Sequence, residues 1–213
     1  MIRETIPFRT VLLATMVLLL VELAAGVMVT VFGLAALPVT GMARLLEGGA
    51  ILAIAVRGRG PGCLGLQRDA LLTGMGRGLL WSFGFGLVAA LGLAVLTAAG
   101  WQPLRMIRVP LPESGGRLAL FFIVAGLIGP LVEEIFFRGV IYTFLRRWGM
   151  AIALIGSTAL FVLPHLPQVR LPLTQLAGGL LFGLAYEKEK NLLVPMVIHV
   201  LGNFAIFLLP LLT

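Results

Sequence analysis

Apolar residues in this chain do not alternate with polar ones; they run on for whole helix lengths, broken by short clusters of Gly, Pro and Arg. About 20 apolar residues cross a hydrocarbon core as a helix. The runs therefore predict spans near 11–32, 42–56, 79–99, 118–145, 150–163, 171–186 and 192–211. The breaks are Pro38 to Gly41, the Gly- and Arg-rich stretch 57–77, Gln102-Pro103, Pro110 to Gly116, Arg146-Arg147, 164–172 and 187–191. Gly and Pro punctuate them as turns between helices. Several runs are shorter than a full crossing, so tilted or partial helices are expected. The fold class predicted is all-α: a polytopic membrane helical bundle of about seven spans, within a range of six to eight. Residues 1–213 are read as one integral membrane domain, with no internal repeat. The amino-terminal run imitates a signal peptide. It continues to Leu37, past the ~7–15 residues of a signal h-region, and is expected to be a retained first span.

Composition agrees with that reading. Apolar residues make up 60% and charged residues 12%, where a soluble domain carries about 25% charged. The formal net charge of +7 would suggest nucleic acid in a soluble protein. Here the basic residues fall mostly in short connections, as the positive-inside rule expects, with no basic stripe interleaved with aromatics. The partner implied is a lipid bilayer, not nucleic acid. With the amino terminus inside, Arg3, Arg9, Arg57, Arg59, Arg68, Arg77, Arg146, Arg147, Lys188 and Lys190 lie on the inner side. Arg44, Arg105, Arg108, Arg117 and Arg170 lie outside, which favours that orientation. The expected location is a multi-pass place in a bacterial or archaeal cell membrane. Cys63 is the only cysteine and forms no internal disulfide.

Charges inside spans each need a partner or a task, because a central one costs about 2.5–3.5 kcal/mol on insertion scales. The fourth run reads Gly129-Pro-Leu-Val-Glu133-Glu134-Ile-Phe-Phe-Arg138. Glu134 and Arg138 are four apart on one helix face and can pair. Glu133 lies about 100° round and is left without a same-face cation. Pro130 just before it can kink the helix and open a polar space. The two histidines, His165 and His199, fall in the same half of the chain, and Asn203 shares a face with His199. These groups are buried at least cost if Glu133, His165, His199 and Asn203 face one wet cavity. Elsewhere, Arg44 and Glu47 are expected to pair. Glu22 has no partner on its own run, and 187–190 reads as a solvated turn.

A glutamate can take a proton from water, while imidazole and amide donors stabilise the oxyanion of an attacked carbonyl. Other intramembrane designs fail on inventory. Asp69 is the only aspartate, neither histidine begins a His-Glu-x-x-His helix, and neither Ser82 nor Ser157 has the Gly-x-Ser setting.

Glu133-Glu134-x-x-x-Arg138, Phe161-x-x-x-His165 and His199-x-x-x-Asn203, in that order, resemble the three motifs of the CAAX-protease and bacteriocin-processing family of intramembrane endopeptidases. The linking stretches Gly179 to Tyr186 and Asn191 to His199 look similar as well. The resemblance covers about 118–209, under half the chain, and Pro164 beside His165 departs from it. It implies an all-helical fold and catalysis by Glu133, His165, His199 and Asn203, with Glu134 and Arg138 supporting. The substrate implied is a membrane-associated protein or peptide, as in CAAX-like or carboxyl-terminal tag processing. A metal-free scheme is favoured. The zinc alternative would use Glu133, His165 and His199 as ligands with one open position. The rival from another class is a non-catalytic scaffold or self-immunity protein that binds a peptide in the same pocket.

Overall fold

Seven long helices follow one another in the computed structural model, which describes residues 6–106, 109–166 and 172–212. They are α1 (Phe8–Thr30), α2 (Ala36–Val56), α3 (Leu71–Ala98), α4 (Gly115–Trp148), α5 (Met150–His165), α6 (Leu173–Glu189) and α7 (Leu193–Leu212). Short helical turns occur at Pro61–Leu64, Arg68–Ala70 and Pro103–Met106, and no strand occurs among the described residues. α1, α2, α3, α4 and α7 each contain a stretch long and apolar enough to cross a membrane, while α5 and α6 are shorter. The chain is a multi-pass membrane protein with an all-α bundle. Arg3, Arg108 and Arg170 of the charge count, and most of the 164–172 break, lie outside the described residues.

Two expected breaks are in fact helix. α2 starts at Ala36, so Pro38 and Gly41 belong to its first turns, where a missing backbone N–H costs nothing. Arg44, assigned to an outer connection, is therefore inside a helix. α3 starts at Leu71, within the Gly- and Arg-rich stretch. Gly58, Gly60 and Gly65 before it turn with positive φ, whereas Gly74 and Gly78 in its first turns serve close approach. A Cβ on Gly74 would fall 2.5 Å from the Asn191 side chain, and one on Gly78 would fall 2.6 Å from Val197. Apolar burial drives little association in lipid, so helices meet where small residues let backbones come close.

α4 is the hub. It packs against α1, α2, α5, α6 and α7, while α1 also packs on α2, α3 on α7, and α5 on α6. Its aromatic carboxyl-terminal half, with Phe136, Phe137 and Tyr142, forms the core with Ile51 of α2, Phe161 of α5 and Tyr186 of α6. The exposed apolar residues of α1 and α3, such as Leu20, Leu72 and Phe83, suit a lipid-facing surface.

The expected kink at Pro130 takes a particular form. Phe122–Ile128 and Ile135–Tyr142 are π-helical, and an α-helical turn, Gly129–Glu134, separates them. Gly129 N–H reaches back to the Val124 carbonyl, five residues away. The wider turns accommodate the lost donor of Pro130 without breaking the helix. Glu133 and Glu134 thus sit on the short regular turn between two widened ones.

Candidate active site

Glu134 and Arg138, four apart on α4, are both fully buried, and their ion pair is 2.9 Å long. Arg138 also donates to the Gly179 carbonyl of α6 at 3.1 Å. Its guanidinium lies 4.8 Å from the Phe161 ring centre and 5.1 Å from that of Phe182, a cation–π sandwich between α5 and α6. The Gly179 carbonyl is reachable because α6 approaches α5 closely there: a Cβ on Gly179 would meet Thr158 at 2.7 Å.

The same Glu134 oxygen that meets Arg138 also meets His199 Nδ1 of α7, at 2.8 Å. A carboxylate only accepts, so Nδ1 carries the proton and donates. That fixes Nε2 as the free ring atom, and it faces Glu133 Oε2 at 3.7 Å. The distance is too long for a direct hydrogen bond and suits a bridging water. The His199 ring is held flat by Phe182, stacked at 4.6 Å, and edge-on by Phe161 at 5.8 Å. Glu133 is the more exposed of the two glutamates, its side chain 23% accessible against 0% for Glu134.

The site is therefore built from α4 and α7, with walls from α5 and α6. The structure brings Glu133, Glu134, Arg138 and His199 together directly. His165 lies at the end of α5, where its Nδ1 is 2.9 Å from the Phe161 carbonyl and its ring 5.2 Å from the Phe161 ring. Phe161 is the side chain it shares with His199. Asn203, one turn beyond His199, donates its amide to the Ala125 carbonyl of α4 at 3.0 Å. One of its two amide hydrogens is used there. Neither His165 nor Asn203 hydrogen-bonds Glu133 among the described residues.

Among the described residues no three of His, Cys, Asp and Glu gather closely enough to hold a metal ion.

Residues outside the recognised motifs also shape the site. Phe182 and the Gly179 carbonyl carry no chemical signature in the sequence beyond lying in the Gly179–Tyr186 stretch. On α2, Arg44 pairs with Glu47 at 2.7 Å as expected, and it also reaches Glu22 of α1 at 2.7 Å. Glu22 thereby finds its partner on another helix.

The stretch 187–190 is more than a solvated turn. Glu187 accepts from Tyr142 at 2.7 Å and from Arg146 at 3.0 and 3.1 Å, and it pairs with Lys190 at 2.8 Å. Burial pushes its carboxyl up, but the hydrogen bonds from Arg146, Lys190 and Tyr142 outweigh that and hold it at about 2. Glu189 accepts from Trp81 of α3 at 2.9 Å. These contacts tie the end of α6 to α3 and α4.

Part of the chain is similar to known proteins. Residues 115–205 match the family model described as type II CAAX prenyl endopeptidase Rce1-like. Over 94 residues the chain is 35% identical to the membrane-embedded CAAX protease MroQ of Staphylococcus aureus (strain USA300), covering 41% of this chain and 38% of that relative. The chain thus matches well under half the length of this curated relative. No solved structure matches it. The segment 115–205 that is similar to this family model carries Glu133, Glu134, Arg138, His165, His199 and Asn203.

Proposed function

We propose that the chain is an intramembrane endopeptidase that hydrolyses a peptide bond of a membrane-associated protein or peptide through a water activated by Glu133. The observation that carries this reading is His199 held between two glutamates, its Nδ1 donating to Glu134 and its Nε2 turned toward Glu133. The name of the staphylococcal relative supports the reaction class.

In the proposed reaction a water lies between Glu133 and His199 Nε2. Glu133 takes one proton as the water oxygen adds to the peptide carbonyl carbon. Nε2 accepts the other hydrogen of that water and aims it. The carbonyl becomes an oxyanion, which the second amide hydrogen of Asn203 stabilises, with His165 beside Phe161 at the end of α5. Collapse of the oxyanion breaks the C–N bond, and Glu133 returns its proton to the leaving amine. Glu134 and Arg138 keep the His199 tautomer and ring fixed, as the third member of a catalytic triad does.

The test uses a lipid-anchored reporter peptide ending in a CAAX sequence, mixed with the protein in lipid vesicles. Glu133→Gln keeps the shape of the side chain and loses its basicity, so turnover should fall by about 10²–10⁴-fold while peptide binding persists. Binding without cleavage by the wild type would instead establish the scaffold reading. A strong chelator should leave the rate unchanged. Loss of turnover on chelation with recovery on adding zinc would make Glu133 a metal ligand and overturn this scheme.

A further inference from the structure

We infer that Phe182 of α6 is a positioning residue for the reaction: its ring sets the plane of the His199 imidazole, and Gly178 leaves the room that ring needs. The inference rests on the hydrolase reading above, because it concerns where His199 Nε2 points.

A single in-plane hydrogen bond fixes one atom of an imidazole and leaves its tilt free, since the terminal torsion of histidine is broad. His199 has that bond at Nδ1, 2.8 Å from Glu134 Oε1. Its other nitrogen, Nε2, lies 3.7 Å from Glu133 Oε2. A small tilt about the anchored atom therefore moves Nε2 relative to the proposed water. A flat neighbour stacked on the imidazole removes that freedom. Phe182 is such a neighbour, with ring centres 4.6 Å apart and planes 24° apart. The same phenyl ring lies 5.1 Å from the Arg138 guanidinium. It thus packs on both groups that donate to Glu134 Oε1, the guanidinium at 2.9 Å and the imidazole at 2.8 Å. An aliphatic side chain fills space as well, but only a flat ring sets a plane.

The placement of that ring is built into α6. Helical side chains lean toward the amino-terminal turn, so residue 182 covers the surface over residue 178. Position 178 is a buried glycine. A Cβ there would stand 3.1 Å from Phe182 Cζ and 3.2 Å from Cε2. Any other residue would displace the far end of the phenyl ring. Glycine weakens a helix interior, and here the room it leaves is taken by the ring that faces His199.

Two variants separate positioning from packing. Phe182→Leu keeps an apolar side chain and removes the flat face. Gly178→Ala keeps the phenylalanine and every polar group, and displaces the ring. His165 and His199 are the only histidines, so isotopic labelling of histidine gives two NMR signals, told apart with His165→Gln. In lipid vesicles the ring current of Phe182 should hold the His199 signal upfield in the wild type. Both variants should release it and leave the His165 signal in place. On the lipid-anchored reporter peptide, kcat should fall by about 10- to 100-fold in Phe182→Leu and about 10-fold in Gly178→Ala, the scale of a small misplacement of a reacting group. KM should not change, and thermal unfolding checks that the variants are folded. In the double variant Gly178→Ala should add no further loss, because leucine lacks the Cζ and Cε2 atoms that the new methyl meets. Additive losses overturn the inference, as does an unmoved His199 signal or an unchanged kcat in the folded variants. If Phe182→Leu does not fold, Gly178→Ala carries the same two readouts. The His199 signal is read without substrate and tests the ring independently of turnover, whereas undiminished cleavage by Glu133→Gln overturns the hydrolase reading itself.

Discussion

Arg138 combines three burdens in one side chain: it neutralises Glu134, caps a carbonyl of α6 and fills the space between Phe161 and Phe182. Arg138→Ala should cost about 3–5 kcal/mol, because it leaves the Glu134 charge buried without its cation. Reduced folded yield and a lower unfolding temperature should accompany lost turnover, and normal thermal unfolding of Arg138→Ala would contradict the assignment. Asn203→Ala should behave differently. Its one hydrogen bond, to Ala125, is partly accessible, so the fold should survive while kcat falls by about 10²–10³-fold, the usual loss for one oxyanion donor. Much at this scale was legible in the sequence. The spacing of Glu134 and Arg138 already implies their pairing, and the lack of a same-face cation singles out Glu133. That His199 would bind the supporting glutamate through Nδ1 was not legible, because 65 residues and two helix crossings separate them. The Arg44 to Glu22 pair was hidden for the same reason: no local spacing reports a contact between helices.

At the scale of elements, apolar runs located all seven helices, and their ends were misjudged where glycine or proline was read as punctuation. The α2 and α3 amino-terminal turns show why. Proline in a first turn lacks only a hydrogen bond that helix geometry never makes there. Glycine facing another helix is selected for its absent side chain. Gly48→Ala tests this. The added methyl meets the stiff, β-branched Val132 at 2.8 Å. It should cost about 1–3 kcal/mol as overpacking and shift the residue before Glu133. Lower thermal stability and lower turnover are expected together. An unchanged Gly48→Ala would mean that α2 and α4 are not closely docked. The π-helical turns on either side of Glu133 lay beyond sequence reasoning, since Pro130 announces an irregularity without saying whether it kinks or widens the helix.

For the whole molecule, Glu187 links α6 to α4 at a helix end and gives stability a pH dependence. Its carboxyl is held at about 2 in the folded protein against an ordinary value of 4.5. The depressed value means that its contribution is complete above pH 4.5 and fades as pH falls toward 2. Glu187→Gln should therefore unfold at a lower temperature than wild type at neutral pH, and the gap should close in that acid window. A gap that widened on acidification would reverse the assignment. The short helices carry a different consequence, one for the surrounding lipid. The 17 residues of α6 rise about 26 Å, less than the roughly 30 Å thickness of a typical hydrocarbon core, and α5 also falls short of a full span. Where helices this short cross, the bilayer thins beside them or flanking side chains snorkel. On the hydrolase reading, such thinning lets headgroups and water approach the face that α5 and α6 form, and the host membrane takes part in the proposed reaction. In vesicles of progressively longer acyl chains, the reaction should slow even though no residue of the protein has changed.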